Sequence, residues 1–257
     1  MNKYLRKIIP GSVLDFLRVL RYVGKKLPNA DLYIEQVDGR RGVEIGGPST
    51  IFKTLLPLYK RVSGLDGVNF SCQTVWEGRI EGGKTFNFIG SRVGHQYIAD
   101  ATDLSRLKSE HYDFLISSNC LEHVANPIKA LFEWKRVVKK NGVLIIVLPN
   151  KINNFDRRRH TTSFQHMLDD YNYEIKEDDL THLEEILENH DLGLDSDAGT
   201  HDQFRIRSLD NVNNRTLHHH VFDKSNIIEL LNFIDVETLD ITTTSVNFYV
   251  LARKKLN

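Results

Sequence analysis

The residues best placed to do chemistry begin with an acid beside a glycine turn. Glu44 lies in a strand-like run, Arg41-Gly42-Val43-Glu44-Ile45, that ends on Gly46-Gly47-Pro48-Ser49. Gly46 lets the backbone approach a ligand with no Cβ in the way. A carboxylate here attracts a cationic ligand and opposes a pyrophosphate, which wants bare N–H groups at a helix start. The turn also lacks the G-x-G-x-x-G spacing of dinucleotide binders. Asp66 follows in Val62-Ser63-Gly64-Leu65-Asp66, read as a second strand whose terminal acid can accept ribose hydroxyls. A third acidic stretch is Asp100-Ala101-Thr102-Asp103-Leu104.

The basic residues fall later. Only His95, His111 and His123 precede His160. His160 closes the run Asn154-Phe155-Asp156-Arg157-Arg158-Arg159-His160, whose arginines can grip a phosphate or carboxylate in forked geometry. Arg158 and Arg159 are the expected acceptor contacts and His160 a general base, against the plainer reading of a solvated basic loop. In His218-His219-His220 an extended backbone divides the rings between two faces. His219 is a second candidate base and His218 a candidate acceptor contact; buried hydrogen-bonding histidines are the plainer reading. His123, just after a strand, is a third candidate base or a structural residue. Asp195-Ser196-Asp197 with His201 and Asp202 reads either as a divalent-cation cluster or as a polar loop, and no metal ligand is assigned. Trp76, Phe86 and Phe88 read as an aromatic platform or as the core of a small hairpin.

Strands alternate with helices through the middle of the chain, the pattern of a parallel sheet covered on both faces. Strands are expected at 41–46, 60–65, 96–99, 112–118 and 142–148. The run Val143-Leu144-Ile145-Ile146-Val147-Leu148 is continuously apolar, as a strand buried on both faces should be. A helix over about 127–140 is predicted from Asn126 as cap, Pro127 at its first position and Gly142 after its end. Asp223 caps a further helix to about 233, with Phe222 and Ile227 set for a hydrophobic staple. Strands follow at Val236–Thr243 and Val246–Arg253. Residues 67–95 read as a hairpin excursion. An amphipathic helix is expected near 177–190, with Leu180, Leu183 and Leu187 on one face.

Here a resemblance takes hold. The run at 41–49 resembles the first motif of class I S-adenosylmethionine-dependent methyltransferases. Tyr112-Asp113-Phe114-Leu115-Ile116-Ser117-Ser118, Leu121-Glu122-His123 and Arg136-Val137-Val138-Lys139-Lys140-Asn141-Gly142 resemble the bacterial small-molecule type. The likeness covers 40–150 well and 222–255 more loosely. It implies an α/β fold, a doubly wound, mostly parallel, seven-stranded Rossmann-like sheet with an antiparallel last strand and an inserted lid. It implies S-adenosylmethionine as cofactor. Glu44, Gly46 and Gly47 would hold the methionine end, Asp66 the ribose, and Asp100 with Ala101 would face the adenine. Asn119 would sit beside the methionine. The family usually has a second glycine where this chain has Pro48, which stiffens the loop and removes an N–H donor.

The domain reading is a basic helical segment over 1–35, a cofactor-binding core over 36–150, a substrate lid over 151–222 and completion of the core over 223–257. Insertions after parallel strands lie over the ligand crevice. The segment 1–27 is expected to form two short helices, separated at Pro10-Gly11, that pack on the core or on a second subunit, or that lie on an anionic membrane surface. Lys plus Arg equals Asp plus Glu, 34 each, so no net field favours nucleic acid. The two cysteines, Cys72 and Cys120, give neither metal spacing nor a disulfide framework, and a cytoplasmic setting is expected. The polar lid points to O-methylation of a hydroxyl on a sugar or glycan precursor, and the chain also resembles methyltransferases of surface-polysaccharide pathways. Two other readings stand beside it. One is a metal-dependent nucleotide-sugar glycosyltransferase using Asp195 and Asp197. The other is a non-catalytic partner module of methyltransferase fold.

Overall fold

The structure is a computed structural model and describes residues 27–195 and 197–256. Apart from Leu27, the segment expected to contact a subunit or a membrane lies outside the described residues. No described helix is long and apolar enough to cross a membrane.

The first described helix, α1 (Ala30–Val37), docks on the core through buried Tyr33 and Val37. The Tyr33 hydroxyl lies 2.6 Å from Asp240 Oδ2 and 2.7 Å from the Tyr249 carbonyl. Helix α1 therefore crosses the boundary expected at residue 35. The main strands are β1 (Arg41–Ile45), β2 (Gly64–Asn69), β5 (Gly83–Ile89), β6 (Arg92–Ile98), β7 (Tyr112–Ser118), β8 (Val138–Pro149), β9 (Val236–Thr243) and β10 (Asn247–Lys254). Their order is β5-β6-β2-β1-β7-β8-β10-β9. From β6 to β8 the neighbours run parallel, and β10 runs antiparallel to both β8 and β9. The expected sheet is thus present with one strand more. The extra strand is β5, which folds back antiparallel on β6 out of the hairpin excursion. A two-stranded ribbon, β3 (Gln73–Thr74) with β4 (Gly78–Arg79), precedes it.

The apolar run in β8 serves both faces. Leu144, Ile146 and Leu148 pack in one core, and Val143, Ile145 and Val147 in the other. Strand alternation divides them in this way, and burial on both sides leaves no place for polar residues. Helix α3 (Pro127–Val137), after the short α2 (Thr50–Lys53), covers the first core, and its Asn126 cap accepts from Lys129 N. It ends earlier than predicted because Val138 already joins β8.

The second strand departs from expectation. It is expected at 60–65, but β2 runs to Asn69, with Leu65 and Val68 in the two cores. Asp66 consequently pairs with Val43 in mid-strand.

Residues 151–222 leave the sheet after β8 and return before it is completed. They carry α4 (Phe164–Asn172), α5 (Leu183–Asn189), α6 (His201–Leu209) and α7 (Asn211–Asn214). Leu183, Ile186, Leu187, Phe204 and Leu217 form a satellite core, with Leu180 at its margin. The amphipathic helix is shorter than predicted, since residues 177–182 form turns. Helix α8 (Lys224–Phe233) then opens on a capping box between Asp223 and Asn226.

Candidate active site

The parallel strands bring the loops after β1, β2, β6, β7 and β8 to one edge of the sheet, where open α/β sheets bind ligands. Glu44 is fully buried beneath the first loop. Its Oε1 accepts from Ser49 N and Oγ at 3.0 and 2.6 Å, and its Oε2 from the Tyr59 hydroxyl at 2.5 Å. Burial pushes its carboxyl up to about 7, against the lowering effect of those bonds. Gly46 has φ 79°, and a Cβ there would stand 3.0 Å from Cys120 Sγ, so the loops after β1 and β7 touch. A Cβ on Gly47 would overlap the Glu44 carboxyl carbon. Pro48 does not open a helix; α2 begins at Thr50. Two glycines over a buried acid thus leave a bare backbone cradle, which fits a ligand bearing positive charge.

At the end of β2 the residue present is Asn69, whose amide donates to the Gly47 carbonyl at 2.9 Å. Asp66, the expected ribose acid, is not there. Its carboxylate is 97% hidden and accepts from Arg41 Nη2 at 2.7 Å, Tyr112 Oη at 2.9 Å and His95 N at 2.9 Å. Burial and that carboxylate push the Tyr112 phenol far up. Asp66 ties three strands together, and Asn69 takes the strand-end position. The misplacement arose because the second strand was ended too soon; the apolar pair Leu65 and Val68 was the signal for its true extent.

Asp100 and Ala101 follow β6 as expected. Asp100 Oδ1 accepts from Thr102 N and Oγ1, and Oδ2 accepts from Arg215 Nη2 at 3.1 Å. The Ala101 carbonyl accepts from Trp134. Asn119 follows β7, exposed, with φ 48°. Arg215 comes from the insertion. It also pairs with Glu177 Oε2 at 3.0 Å and lies 5.2 Å from the centre of the Phe70 ring, the residue after Asn69. The insertion therefore reaches the loops after β2 and β6.

The expected acceptor residues are sorted by the structure into different places. Arg157 and Arg158 pair with Asp191, both near half-exposed. Arg159 is buried and donates to Asp156 Oδ1, Glu185 and the His218 carbonyl. Its Nε and Nη1 are committed to those partners and the side chain is 2% exposed, so it does not join Arg157 and Arg158 in a three-arginine grip. His160 is exposed. His219 is buried with Nε2 3.0 Å from Asn211 Nδ2, a donor that occupies its lone pair, and burial lowers it to about 3. It is therefore not a free base. Asp195 accepts from His190 Nε2, Arg207 Nη2 and backbone N–H groups within the lid, so its carboxylate is committed there. Phe86 and Phe88 are core residues.

His218 and His123 do come together, with ring centres 4.5 Å apart. His218 Nδ1 lies 2.5 Å from Asp156 Oδ2, and His123 Nδ1 lies 3.0 Å from the Leu217 carbonyl. Burial alone would lower His218, but the Asp156 carboxylate outweighs it and moves it up. His123, with no such partner, is moved well down by burial. Trp76, at the tip of the β3–β4 ribbon, packs on His123 at 5.1 Å between ring centres. Glu122 completes the group; it is 1% exposed. Sequence reasoning gave Glu122 no role, although it stands inside the Leu-Glu-His phrase that carried the resemblance. Asn69 and Arg215 were also missed.

A family model described as a methyltransferase domain matches residues 46–146. Among solved structures, an S-adenosylmethionine dependent methyltransferase from Mesorhizobium loti aligns with TM-score 0.50 and 14% identity, over 88% of this chain and 96% of that one. A SAM dependent methyltransferase from Aquifex aeolicus aligns with TM-score 0.48 and 14% identity, over 97% and 96%. No curated protein matches the sequence. At this identity the likeness defines the fold alone, a Rossmann-like methyltransferase fold.

Proposed function

We propose that the chain is an S-adenosylmethionine-dependent methyltransferase that O-methylates a hydroxyl of a sugar or glycan precursor. The observation that carries it is the row of strand-end residues Glu44, Gly46, Gly47, Asn69, Asp100, Ala101 and Asn119 along one sheet edge, roofed by Arg215. The family match at 46–146 supports methyl transfer. The acceptor class is supported by the polar composition of the insertion and by Trp76 beside His123, a surface on which a sugar ring can rest.

Bound S-adenosylmethionine would supply a sulfonium methyl that an acceptor oxygen displaces, leaving neutral S-adenosylhomocysteine and a proton to be removed. The leaving group is already good, so alignment and exclusion of water are the protein's main tasks. The glycine cradle, Asn69 and Asp100 would align the donor. Glu122, His123, His218 and Trp76 would wall the acceptor side. Calorimetric titration with S-adenosylmethionine, NAD and a nucleotide sugar plus manganese tests the reading. Binding of S-adenosylmethionine alone is expected, and binding of the nucleotide sugar alone would overturn it.

The pH dependence of that binding should follow Glu44. Its folded value is raised to about 7, so the free protein holds a proton there at pH 6. A cationic ligand favours the ionised form, so binding releases the proton and affinity rises through pH 7. S-Adenosylhomocysteine, which lacks the sulfonium charge, should show a shallower rise. Equal slopes for the two ligands would separate Glu44 from the donor's charge.

A further inference from the structure

We infer that Glu122, His123 and His218 form a binding site for one first-row divalent transition metal at the acceptor end of the crevice. One ligand atom from each lies within 4.8 Å of the other two. The orientation of the group points to a cation. Both Glu122 oxygens are buried and neither has a hydrogen-bond partner. A carboxylate taken out of water with no donor is destabilised unless a proton or a positive charge meets it. The two imidazoles are held as metal-ligating imidazoles are held. Each Nδ1 faces a group that can only accept: the Leu217 carbonyl for His123, and Asp156 Oδ2 for His218. Each Nδ1 therefore carries a proton, and Nε2 is the atom each ring would offer a metal, which at His218 competes with a second proton. Asp156 is itself fixed by Arg159, which also donates to the His218 carbonyl. A carboxylate–histidine pair of this kind orients the ring and raises its basicity toward a metal.

Two imidazoles and one carboxylate leave coordination positions open, and nitrogen and oxygen donors suit zinc, manganese or ferrous iron rather than calcium. Trp76 packs on the His123 ring beside this group. The open positions would suit an acceptor offering two adjacent hydroxyls, such as a vicinal diol of a sugar. The metal would acidify one hydroxyl, whose proton passes to water. Its oxygen then bonds to the methyl carbon as the carbon–sulfur bond breaks, with the electron pair staying on sulfur. This role rests on the methyltransferase reading, whereas the binding of metal does not. The neighbouring trio His166, Asp170 and His220 also gathers ligand atoms. There, however, His166 Nε2 and His182 Nε2 face each other at 2.8 Å, and His220 Nε2 lies 3.2 Å from the Ala125 carbonyl. Those Nε2 atoms already have hydrogen-bond partners, although Asp170 Oδ2 and His220 Nδ1 do not.

The test uses the full chain, stripped with chelator and titrated with zinc and with manganese by calorimetry. Metal content is read in parallel by mass spectrometry, and the cobalt-loaded protein by its visible d–d bands. One equivalent is expected in the wild type. Glu122→Gln and His218→Ala should each weaken binding about 100-fold or more. Asp156→Asn, which changes only the residue positioning His218, should weaken it about 10–100-fold. His166→Ala should keep the full equivalent. A stripped wild type that takes up no stoichiometric metal would overturn the inference, as would a Glu122→Gln protein that binds like the wild type or a His166→Ala protein that loses the metal. Circular dichroism and S-adenosylhomocysteine binding on every variant separate misfolding from loss of ligand. A protein that binds S-adenosylhomocysteine but no metal defeats the metal site and leaves the methyltransferase reading standing. One that binds metal but neither S-adenosyl compound does the reverse.

Discussion

Replacing Gly47 by alanine is expected to cost about 2 kcal/mol of stability and to weaken S-adenosylhomocysteine binding about ten- to hundredfold. The added methyl group would overlap the Glu44 carboxyl carbon. Glu44 cannot step aside cheaply, because Ser49 and Tyr59 hold both of its oxygens. The loop must rise instead. Overpacking of this kind costs about 1–3 kcal/mol. A lifted loop also loses the Asn69 amide bond to the Gly47 carbonyl. Each charge-assisted contact forfeited by the ligand costs a further 1.5–3 kcal/mol or so, which is the stated loss of affinity. Thermal melts and calorimetry on the same preparation check both parts. An alanine variant that binds as the wild type does would show that this loop is not the donor's cradle.

Asp66→Ala should behave in the opposite way: a large loss of stability with donor affinity intact. The buried Tyr112 hydroxyl and the His95 N–H lose their acceptor, at about 1–3 kcal/mol each. The Arg41 partner is more than half exposed, so its share is small. The sum is about 3 kcal/mol, or roughly 6–12 °C in Tm for a chain of this size. Binding of S-adenosylhomocysteine, measured well below the transition, should match the wild type. Lost binding in the still-folded variant would return Asp66 to the crevice.

Asp66 also marks the limit of what the residues disclosed. Where a strand holds a continuous apolar run, as Val143–Leu148 does in β8, its two buried faces could be read directly, although the strand itself starts earlier, at Val138, and caps such as Asn126 and Asp223 marked the helices. Strand β2 is short and interrupted by Gly64, Asp66 and Gly67, so alternation did not fix its end. An error of a few residues there moved a supposed ligand contact into the interior. The first glycine loop was legible because an acid next to glycines constrains backbone and charge together. The lid was not, because its residues find partners far away in sequence. Arg159 reaches the His218 carbonyl, Arg215 reaches Asp100, and Asp156 reaches His218. Nothing in the local pattern separates an arginine that faces solvent, such as Arg158, from one buried beside it. Likewise His218, His219 and His220 turn to three separate sets of partners, which only the return path of the insertion decides.

Arg215 spans Asp100 and Glu177 with the Phe70 ring beside it, and His218 stands three residues further on. If the donor's nucleoside lies next to Asp100, its arrival and departure must pass that guanidinium, and the same strap carries the far wall. The two substrates would then be admitted in a compulsory queue, donor before acceptor, with the spent donor the last to leave.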